Sequence, residues 1–96
     1  MSKYIALINW TAKGVKQIED SPDRLDKARA LAKKLGGSME QIYMTMGGYD
    51  LVAIMDMPSD EAMAQFALNS ARGGHIRTTT LKAFEEAGYR KIIKSL

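Results

Sequence analysis

The order of its strand-like and helix-like segments is the feature that most limits what this chain can fold into. Four short runs rich in apolar or β-branched residues occupy positions 4–10, 41–46, 51–57 and 75–82. Between the first and second runs, and again between the third and fourth, apolar residues recur every three or four positions, which is the period of an amphipathic helix. The predicted order is therefore β-α-β-β-α-β, followed by a tail at positions 85–96.

Start and stop signals frame both helices. Ser21 is the predicted N-cap of the first helix, with Pro22 in its first turn, and Ser59 is the predicted N-cap of the second. The pairs Gly36-Gly37 and Gly73-Gly74 predict the two C-terminal ends. Both helices thus have bounds that can be checked residue by residue.

The helical periods also predict which residues face the core. In the first helix, leucines and alanines form the apolar stripe, and the basic residues are interpreted as mostly facing away: Arg24, Lys27, Arg29, Lys33 and Lys34. In the second helix, the predicted buried stripe contains Met63, Phe66, Ala67 and Ser70. Val15 and Ile18 predict a short helical lead-in before the first helix. The tail predicts a third helix or a docking arm, from the spacing of Tyr89, Ile92, Ile93 and Leu96.

The second and third strands are predicted to form a tight hairpin. Gly47-Gly48 lies between them, and glycine reaches positive φ without a steric penalty. We interpret four methionines of these strands as adaptable core packing: Met44, Met46, Met55 and Met57.

This element order predicts an α+β fold with ferredoxin-like βαββαβ topology. Right-handed crossovers give a four-stranded antiparallel sheet in the order 4-1-3-2, with two helices on one face and a short C-terminal helix. The 96 residues are taken as one domain, in which positions 85–96 are the tail or helix.

The strands are apolar on both faces, which predicts self-association. In the first strand Ile5 and Leu7 point one way while Ala6, Ile8 and Trp10 point the other. The third strand repeats this pattern. Helices on one side leave the second apolar face uncovered, and such a face marks an interaction surface. The alternative is that the tail covers it, but twelve residues cannot cover four strands. A homodimer, or a higher oligomer, is the simplest solution.

Composition excludes several classes of site. The absence of cysteine removes disulfides, thiolate metal sites, iron–sulfur clusters and thiol nucleophiles, and His75 is the sole histidine. We therefore predict no metal and no cofactor. A net charge of +3 on scattered residues does not form the basic face of a nucleic-acid-binding protein. No run approaches a membrane span or a secretory signal, so a cytoplasmic location is expected.

Two stretches point to a known family. Gly47-Gly48-Tyr49-Asp50-Leu51-Val52 lies at the hairpin, and residues 74–84, GHIRTTTLKAF, lead into the fourth strand and run through it. Together they resemble the GYD-domain family of small bacterial and archaeal proteins, over roughly positions 4–84. The resemblance implies a ferredoxin-like subunit of the dimeric α/β-barrel kind, and no assigned activity.

The topology gathers polar and aromatic residues at one end of the sheet. In the 4-1-3-2 order, the end of the first strand lies beside the beginnings of the third and fourth. The candidate ligand-binding residues there are Trp10, Tyr49, Asp50, His75 and Arg77. Each also has a structural interpretation: aromatic packing, hairpin hydrogen bonding for Asp50, a half-exposed loop position for His75, and an ion pair with Asp50 or a partner subunit for Arg77.

Two functions remain open from the sequence. The first is an assembly or regulatory domain whose partners are copies of itself and, at most, a small-molecule ligand. The second is a cofactor-independent dimeric-barrel enzyme, such as a monooxygenase, isomerase or decarboxylase acting on a small organic substrate, and it rests on fold analogy alone. An enzyme would need Asp50, His75 and Arg77 to converge on one pocket.

Overall fold

A computed structural model describes residues 1–96. The strands are β1 (Ser2–Trp10), β2 (Ser38–Met44), β3 (Leu51–Met57) and β4 (Ile76–Ala83). The α-helices are α1 (Ala12–Lys16), α2 (Ser21–Lys34), α3 (Asp60–Ala71) and α4 (Glu86–Lys94), and a 3-10 turn spans Ile18–Asp20. None of the helices has the length and apolar character needed to cross a membrane.

The four strands form one antiparallel sheet in the order β2-β3-β1-β4, which confirms the predicted 4-1-3-2 topology. Helices α2 and α3 pack on the same face, as the ferredoxin-like arrangement requires. The core lies between them and the sheet, where alternate residues of the strands point inward. Its buried members on the two central strands are Tyr4, Ala6, Ile8, Ala53, Met55 and Met57.

The other face of the sheet has no helix over it, and we call it the open face. Strand alternation places five large aliphatic residues on it: Ile5, Leu7, Val52, Ile54 and Leu81. At one end of this face Lys3 binds three carboxylates, those of Glu40 at 2.7 Å, Asp56 at 3.0 Å and Glu85 at 3.4 Å. We call these four residues the Lys3 cluster. At the other end Arg77 lies opposite Asn9.

Helix α4 makes no extensive contact with any other element of the chain. Its apolar residues are consequently exposed, including Tyr89 at 57%, Ile92 at 44% and Ile93 at 52%. The predicted C-terminal helix is thus present, with its apolar stripe uncovered.

The hairpin between β2 and β3 differs from the prediction. β2 ends at Met44, so residues 45–50 form an open loop where a tight turn was expected. Thr45 closes this loop, because its N–H donates to the Asp50 carbonyl at 2.8 Å and its hydroxyl to the Tyr49 carbonyl at 2.6 Å. Met39, not Met44, is the buried methionine of β2. The expectation that Met44 and Met46 pack in the core is wrong, since they are 72% and 96% exposed.

Of the two predicted N-caps, one is confirmed and the other is wrong. Ser59 caps α3 as predicted, because its hydroxyl accepts the Ala62 N–H at 3.1 Å. Ser21 does not cap α2. The 3-10 turn supplies the preceding helical backbone, so Ser21 is already helical and Asp20 is the cap. The Ser21 hydroxyl instead accepts the Trp10 indole N–H at 3.2 Å.

Candidate functional site

A cavity of about 370 Å³ separates the sheet from helices α2 and α3. Its floor is centred on Ala6 and Ala53, which are direct cross-strand partners on β1 and β3. Ile42 and Thr80 flank them in the same row of the sheet. Both alanines are almost fully buried, at 2% and 0% exposed, so the accessible surface of the cavity is supplied mainly by its other lining residues.

The walls of the cavity are apolar. They are formed by one face of each helix and include Leu25, Ala28 and Leu31 on α2 and Met63, Phe66 and Ala67 on α3. The predicted buried stripe of α3 is therefore the wall of a cavity along part of its length.

Two residues of this lining each have one side-chain polar atom that is buried without a hydrogen-bond partner. They are Nη2 of Arg24 on α2 and Oγ of Ser70 on α3. Arg24 donates its other terminal nitrogen, Nη1, to the Gln17 carbonyl at 3.2 Å. It forms no ion pair, although the exposed Asp20 precedes it by four residues on the helical spiral. Buried polar groups are nearly always paired, so these two atoms distinguish this part of the molecule.

The charged residues on the lining are all basic. Arg24, Lys27 and Arg72 line the cavity together with His75, whereas no aspartate or glutamate does. Lys27 and Arg72 are exposed and lie at the rim.

His75 is held at this end by several contacts. Its Nε2 lies 2.8 Å from Gln17 Oε1, and its carbonyl accepts the Thr11 N–H at 3.0 Å. Burial lowers the pKa of the imidazole, and the positive charges of Arg24 and Lys13 lower it further. The ring is therefore neutral at neutral pH.

Asp50 occupies a structural position between the hairpin loop and β1. Its carboxylate accepts the Trp10 backbone N–H at 3.0 Å, and its own N–H donates to the Ile8 carbonyl at 2.9 Å. These bonds extend the β1–β3 pairing beyond its last regular pair, Ile8 with Leu51. The hairpin interpretation of Asp50 therefore accounts for its contacts within the chain.

The five predicted site residues are not brought to one pocket. His75 lines the cavity, and Trp10 reaches it indirectly, by its hydrogen bond to the lining residue Ser21. Arg77 lies on the open face and forms no ion pair within the chain, so the expected pair with Asp50 is not formed. Tyr49 is in the hairpin loop. Asp50, His75 and Arg77 consequently lack the convergence that the enzyme hypothesis needs.

The sequence contained a signal for the two residues that were missed. Arg24 precedes Ala28 and Leu31 by four and seven positions, which places it on the apolar stripe of α2 and not with the outward-facing basic residues. Ser70 was assigned to the buried stripe of α3, where a hydroxyl is unusual. A basic and a hydroxyl side chain on two stripes that face one sheet indicate a polar patch over an apolar floor.

A second polar cluster lies outside the cavity. The Tyr4 hydroxyl donates to the Asp60 carboxylate, which also accepts from Lys82 Nζ at 3.0 Å. These hydrogen bonds, that from Tyr4 foremost, hold the pKa of Asp60 below its usual value. The cluster joins β1, α3 and β4, and its contacts are structural. Nowhere in the chain do three or more metal-ligating side chains come together at a metal-binding distance.

Comparisons with solved structures identify the fold. The leucine response regulatory protein LrpA of Mycobacterium tuberculosis superposes with a TM-score of 0.58 at 15% identity, covering 88% of this chain and 51% of LrpA. The chain thus spans about half the length of LrpA. Protein TTHA0845 of Thermus thermophilus superposes with a TM-score of 0.56 at 22% identity, covering 88% of this chain and 95% of that protein. At these identities the likeness concerns the fold alone.

The sequence comparison is more specific. None of the curated proteins matches this chain. The model of the GYD domain, however, matches residues 4–93, from β1 into α4. This range contains both stretches that carried the resemblance and every element except the first two residues of β1 and the last residue of α4. The chain therefore belongs to the GYD-domain family.

Proposed function

We propose that this chain is a small-ligand-binding domain that works as an assembly of identical copies. Ligand binding is supported by the cavity beside Ala6 and Ala53, which has apolar walls and only basic residues among the charged residues of its lining. An apolar cleft with a few polar groups is the usual form of a small-molecule site.

The size of the cavity supports the same proposal. Pockets for small molecules have volumes of about 300–1,000 Å³, and this one measures about 370 Å³. The cavity is open to solvent on one side, where Lys27 and Arg72 are exposed at its rim, so a ligand has a way in.

Occupancy can be tested with two probes of the same length, octanoate and octan-1-ol. In NMR spectra of the labelled protein, we expect at least one probe to shift the methyl resonances of Ala6 and Ala53. The variant Ala53→Leu places three further carbon atoms beside the cavity and should abolish the shift of the Ala6 methyl resonance while keeping the sheet intact. If neither probe moves these resonances at millimolar concentration, the proposed ligand-binding function is wrong.

Self-association is supported by the two apolar surfaces that the chain leaves uncovered, the open face and α4. Four strands about 4.8 Å apart, each about seven residues long at about 3.3 Å per residue, give the open face a projected area of roughly 440 Å². A stable interface buries about 800 Å² on each partner. The uncovered apolar stripe of α4 is a second surface that an assembly can cover, so both are assigned to the contact.

The charges at the two ends of the open face favour one relative orientation of the two copies in the proposed contact. The Lys3 cluster combines one positive and three negative side chains, a sum of −2, whereas the opposite end of the open face carries Arg77. Two open faces that meet with their strands antiparallel place Arg77 of one copy toward the Lys3 cluster of the other. The reverse orientation would bring two acidic ends together, which is unfavourable.

Sedimentation velocity tests this contact. We expect a dimer or larger species at micromolar concentration, and a shift toward monomer in Ile54→Glu, which puts a charge at the centre of the open face. Leu68→Glu is the matched control, because Leu68 is 73% exposed on α3, away from the open face. A wild-type monomer, or equal effects of the two variants, would contradict the assignment.

A further inference from the structure

We propose that the occupant of the cavity is an uncharged apolar molecule with one hydrogen-bonding oxygen atom, which the hydroxyl groups of Thr78 and Thr80 bind. This inference rests on the proposed ligand-binding function and names the chemical class of the ligand.

The two threonines lie on the cavity side of β4. Thr78 is paired with Ile8 and Thr80 with Ala6, so both side chains are on the face of the sheet that the helices cover, and both line the cavity. Thr79, between them, is on the open face because successive side chains of a strand point to opposite faces. The three consecutive threonines therefore present two side chains to the cavity and one to the other side of the sheet.

The hydroxyl groups of these two threonines are free to bind a ligand. Neither makes a hydrogen bond within the chain, and the oxygen of Thr78, which is half-buried, is not among the buried unpaired polar atoms. It is therefore accessible from outside the protein. A threonine hydroxyl can donate one hydrogen bond and accept two, so it suits a hydroxyl or a carbonyl oxygen equally well.

The other uncharged polar side chains of the lining are already engaged or out of reach. The Ser21 hydroxyl accepts the Trp10 indole N–H at 3.2 Å, and the side-chain oxygen of Asn69 accepts from Arg72 at 3.2 Å. The hydroxyl oxygen of Ser70 is buried. The threonine pair on β4 is consequently the part of the lining best placed to bind an uncharged polar group.

The lining provides no enclosed partner for an ionised group of either sign. A cationic group would meet only basic residues, because no aspartate or glutamate lines the cavity. An anionic group would also lack a partner inside, since Nη2 of Arg24 is buried and its Nη1 donates to the Gln17 carbonyl at 3.2 Å. It could approach Lys27 and Arg72 only at the rim, where both are exposed and such pairs contribute little. Removing an ionised group from water without a partner is costly, so an uncharged ligand is favoured.

The rest of the lining selects an apolar body. Its walls are aliphatic and aromatic, with Leu25, Met63 and Phe66 among them. Taking about 30 Å³ for each water-sized volume, 370 Å³ has room for about a dozen non-hydrogen atoms. A medium-length alcohol or ketone matches this space and brings the single oxygen atom that the threonines can bind.

Titration calorimetry at neutral pH with three ligands of the same chain length tests the charge of the ligand: octan-1-ol, octanoate and octan-1-amine, the last two of which are ionised. We expect octan-1-ol to bind at least ten-fold more tightly than either ion, because each ion loses hydration without gaining an enclosed partner. A smaller ratio for either ion would overturn the uncharged assignment while leaving the cavity a ligand site. If none of the three binds, the proposed function itself fails.

The variants Thr78→Val and Thr80→Val test the two hydroxyls, because valine keeps the shape and the strand preference of threonine. We expect the double variant to bind octan-1-ol about three- to ten-fold more weakly, the usual value of an uncharged hydrogen bond, and each single variant to lose part of this. Binding of 1-fluorooctane, followed by its fluorine NMR signal, should change by less than about two-fold, since this ligand has no hydroxyl group.

Thr79→Val is the matched control, because it makes the same change at the neighbouring position on the open face and should bind octan-1-ol like the wild type. Equal octan-1-ol affinities of the wild type and the double variant, or an equal loss in Thr79→Val, would refute the role of the two hydroxyls. If the double variant does not fold, the single variants decide the same question.

Discussion

Replacing Asp50 with alanine tests whether this residue holds the hairpin loop to β1. In the folded chain its carboxylate accepts the Trp10 N–H at 3.0 Å, while its backbone bonds to Ile8 and Thr45 do not depend on the side chain. Asp50→Ala therefore removes one hydrogen bond and leaves the Trp10 N–H without its acceptor. Asp50→Asn keeps an acceptor oxygen at nearly the same place and loses only the charge.

The expected size of the effect follows from that bond. A hydrogen bond to a charged group contributes about 1.5–3 kcal/mol, and because Asp50 is half-buried we expect the lower end, about 1.5 kcal/mol, for Asp50→Ala. In a domain of this size, 1 kcal/mol shifts the melting temperature by about 4–8 °C. The alanine variant should therefore melt roughly 6–12 °C below wild type. The asparagine variant should lose less than half of this.

Thermal and urea unfolding followed by far-UV circular dichroism provide the measurement, without any added ligand. Asp26→Ala is the control, because Asp26 is an exposed carboxylate on α2 whose contact with Arg29 is long, at 3.6 Å, and its removal should change stability by less than about 0.5 kcal/mol. If Asp50→Ala melts with Asp26→Ala and the wild type, the hydrogen bond does not stabilise the fold. Asp50 would then return to the ligand-binding candidates.

Three further changes probe other parts of the structure. Phe66→Ala should reduce stability by about 3–5 kcal/mol, because the ring is 5% exposed and separates α3 from the sheet; a melting temperature within about 2 °C of wild type would show that the ring does not support the core. Gly14→Ala should destabilise by about 1–3 kcal/mol, since a Cβ there would lie 2.1 Å from the His75 carbonyl oxygen, whereas Gly48→Ala, which meets nothing within 4 Å, should be neutral. For His75 the pKa is lowered on folding, so the unfolded chain binds the proton more readily. Stability should be constant above the ordinary pKa of about 6.5 and fall as the pH drops through the lower folded value. Melts of His75→Gln should show a weaker fall, and parallel curves for the two proteins would refute this.

The strands and helices were predictable from the sequence where one local pattern was sufficient. β3 has the predicted bounds, because Leu51–Met57 is apolar except at Asp56 and lies between a glycine pair and a proline. α3 was predictable because Ser59 supplies a capping hydroxyl that no neighbouring group uses. The sheet order followed from the order of the elements and the handedness of crossovers.

Where several residues could fill the same structural role, the sequence did not identify which of them does. The methionines at positions 39, 44 and 46 are chemically equivalent, and only the pairing of Met39 with Met55 decides which of them is buried. Ser21 looked like a cap because Val15 and Ile18 indicated a helical lead-in but not that its 3-10 turn runs directly into α2. In both cases several residues fitted the local sequence pattern, and the surrounding structure determined which residue became the buried methionine or the N-cap.

The cavity could not be predicted from either strand alone. Ala6 and Ala53 are forty-seven positions apart, and each is an ordinary small residue in its own strand. They come together beside the cavity only because the β1–β3 register pairs them under two helices. Arg24 and Ser70 reach the same cavity from those helices. Predicting such a site from the sequence therefore requires knowledge of the strand register.

Because α4 makes no extensive contact with the rest of its own chain, its helical structure should depend on association with another molecule. Helix formation has an unfavourable nucleation step, and segments shorter than about 12–15 residues are only marginally helical in water without tertiary packing. With nine residues and an uncovered apolar stripe, α4 falls below that length. The helix–coil equilibrium of α4 should therefore be coupled to self-association. In dilute solution the C-terminal segment should fluctuate, and at higher protein concentration association should order it as a helix. The ellipticity of the protein would then grow with its concentration, and amide exchange along residues 86–94 would slow over the same range.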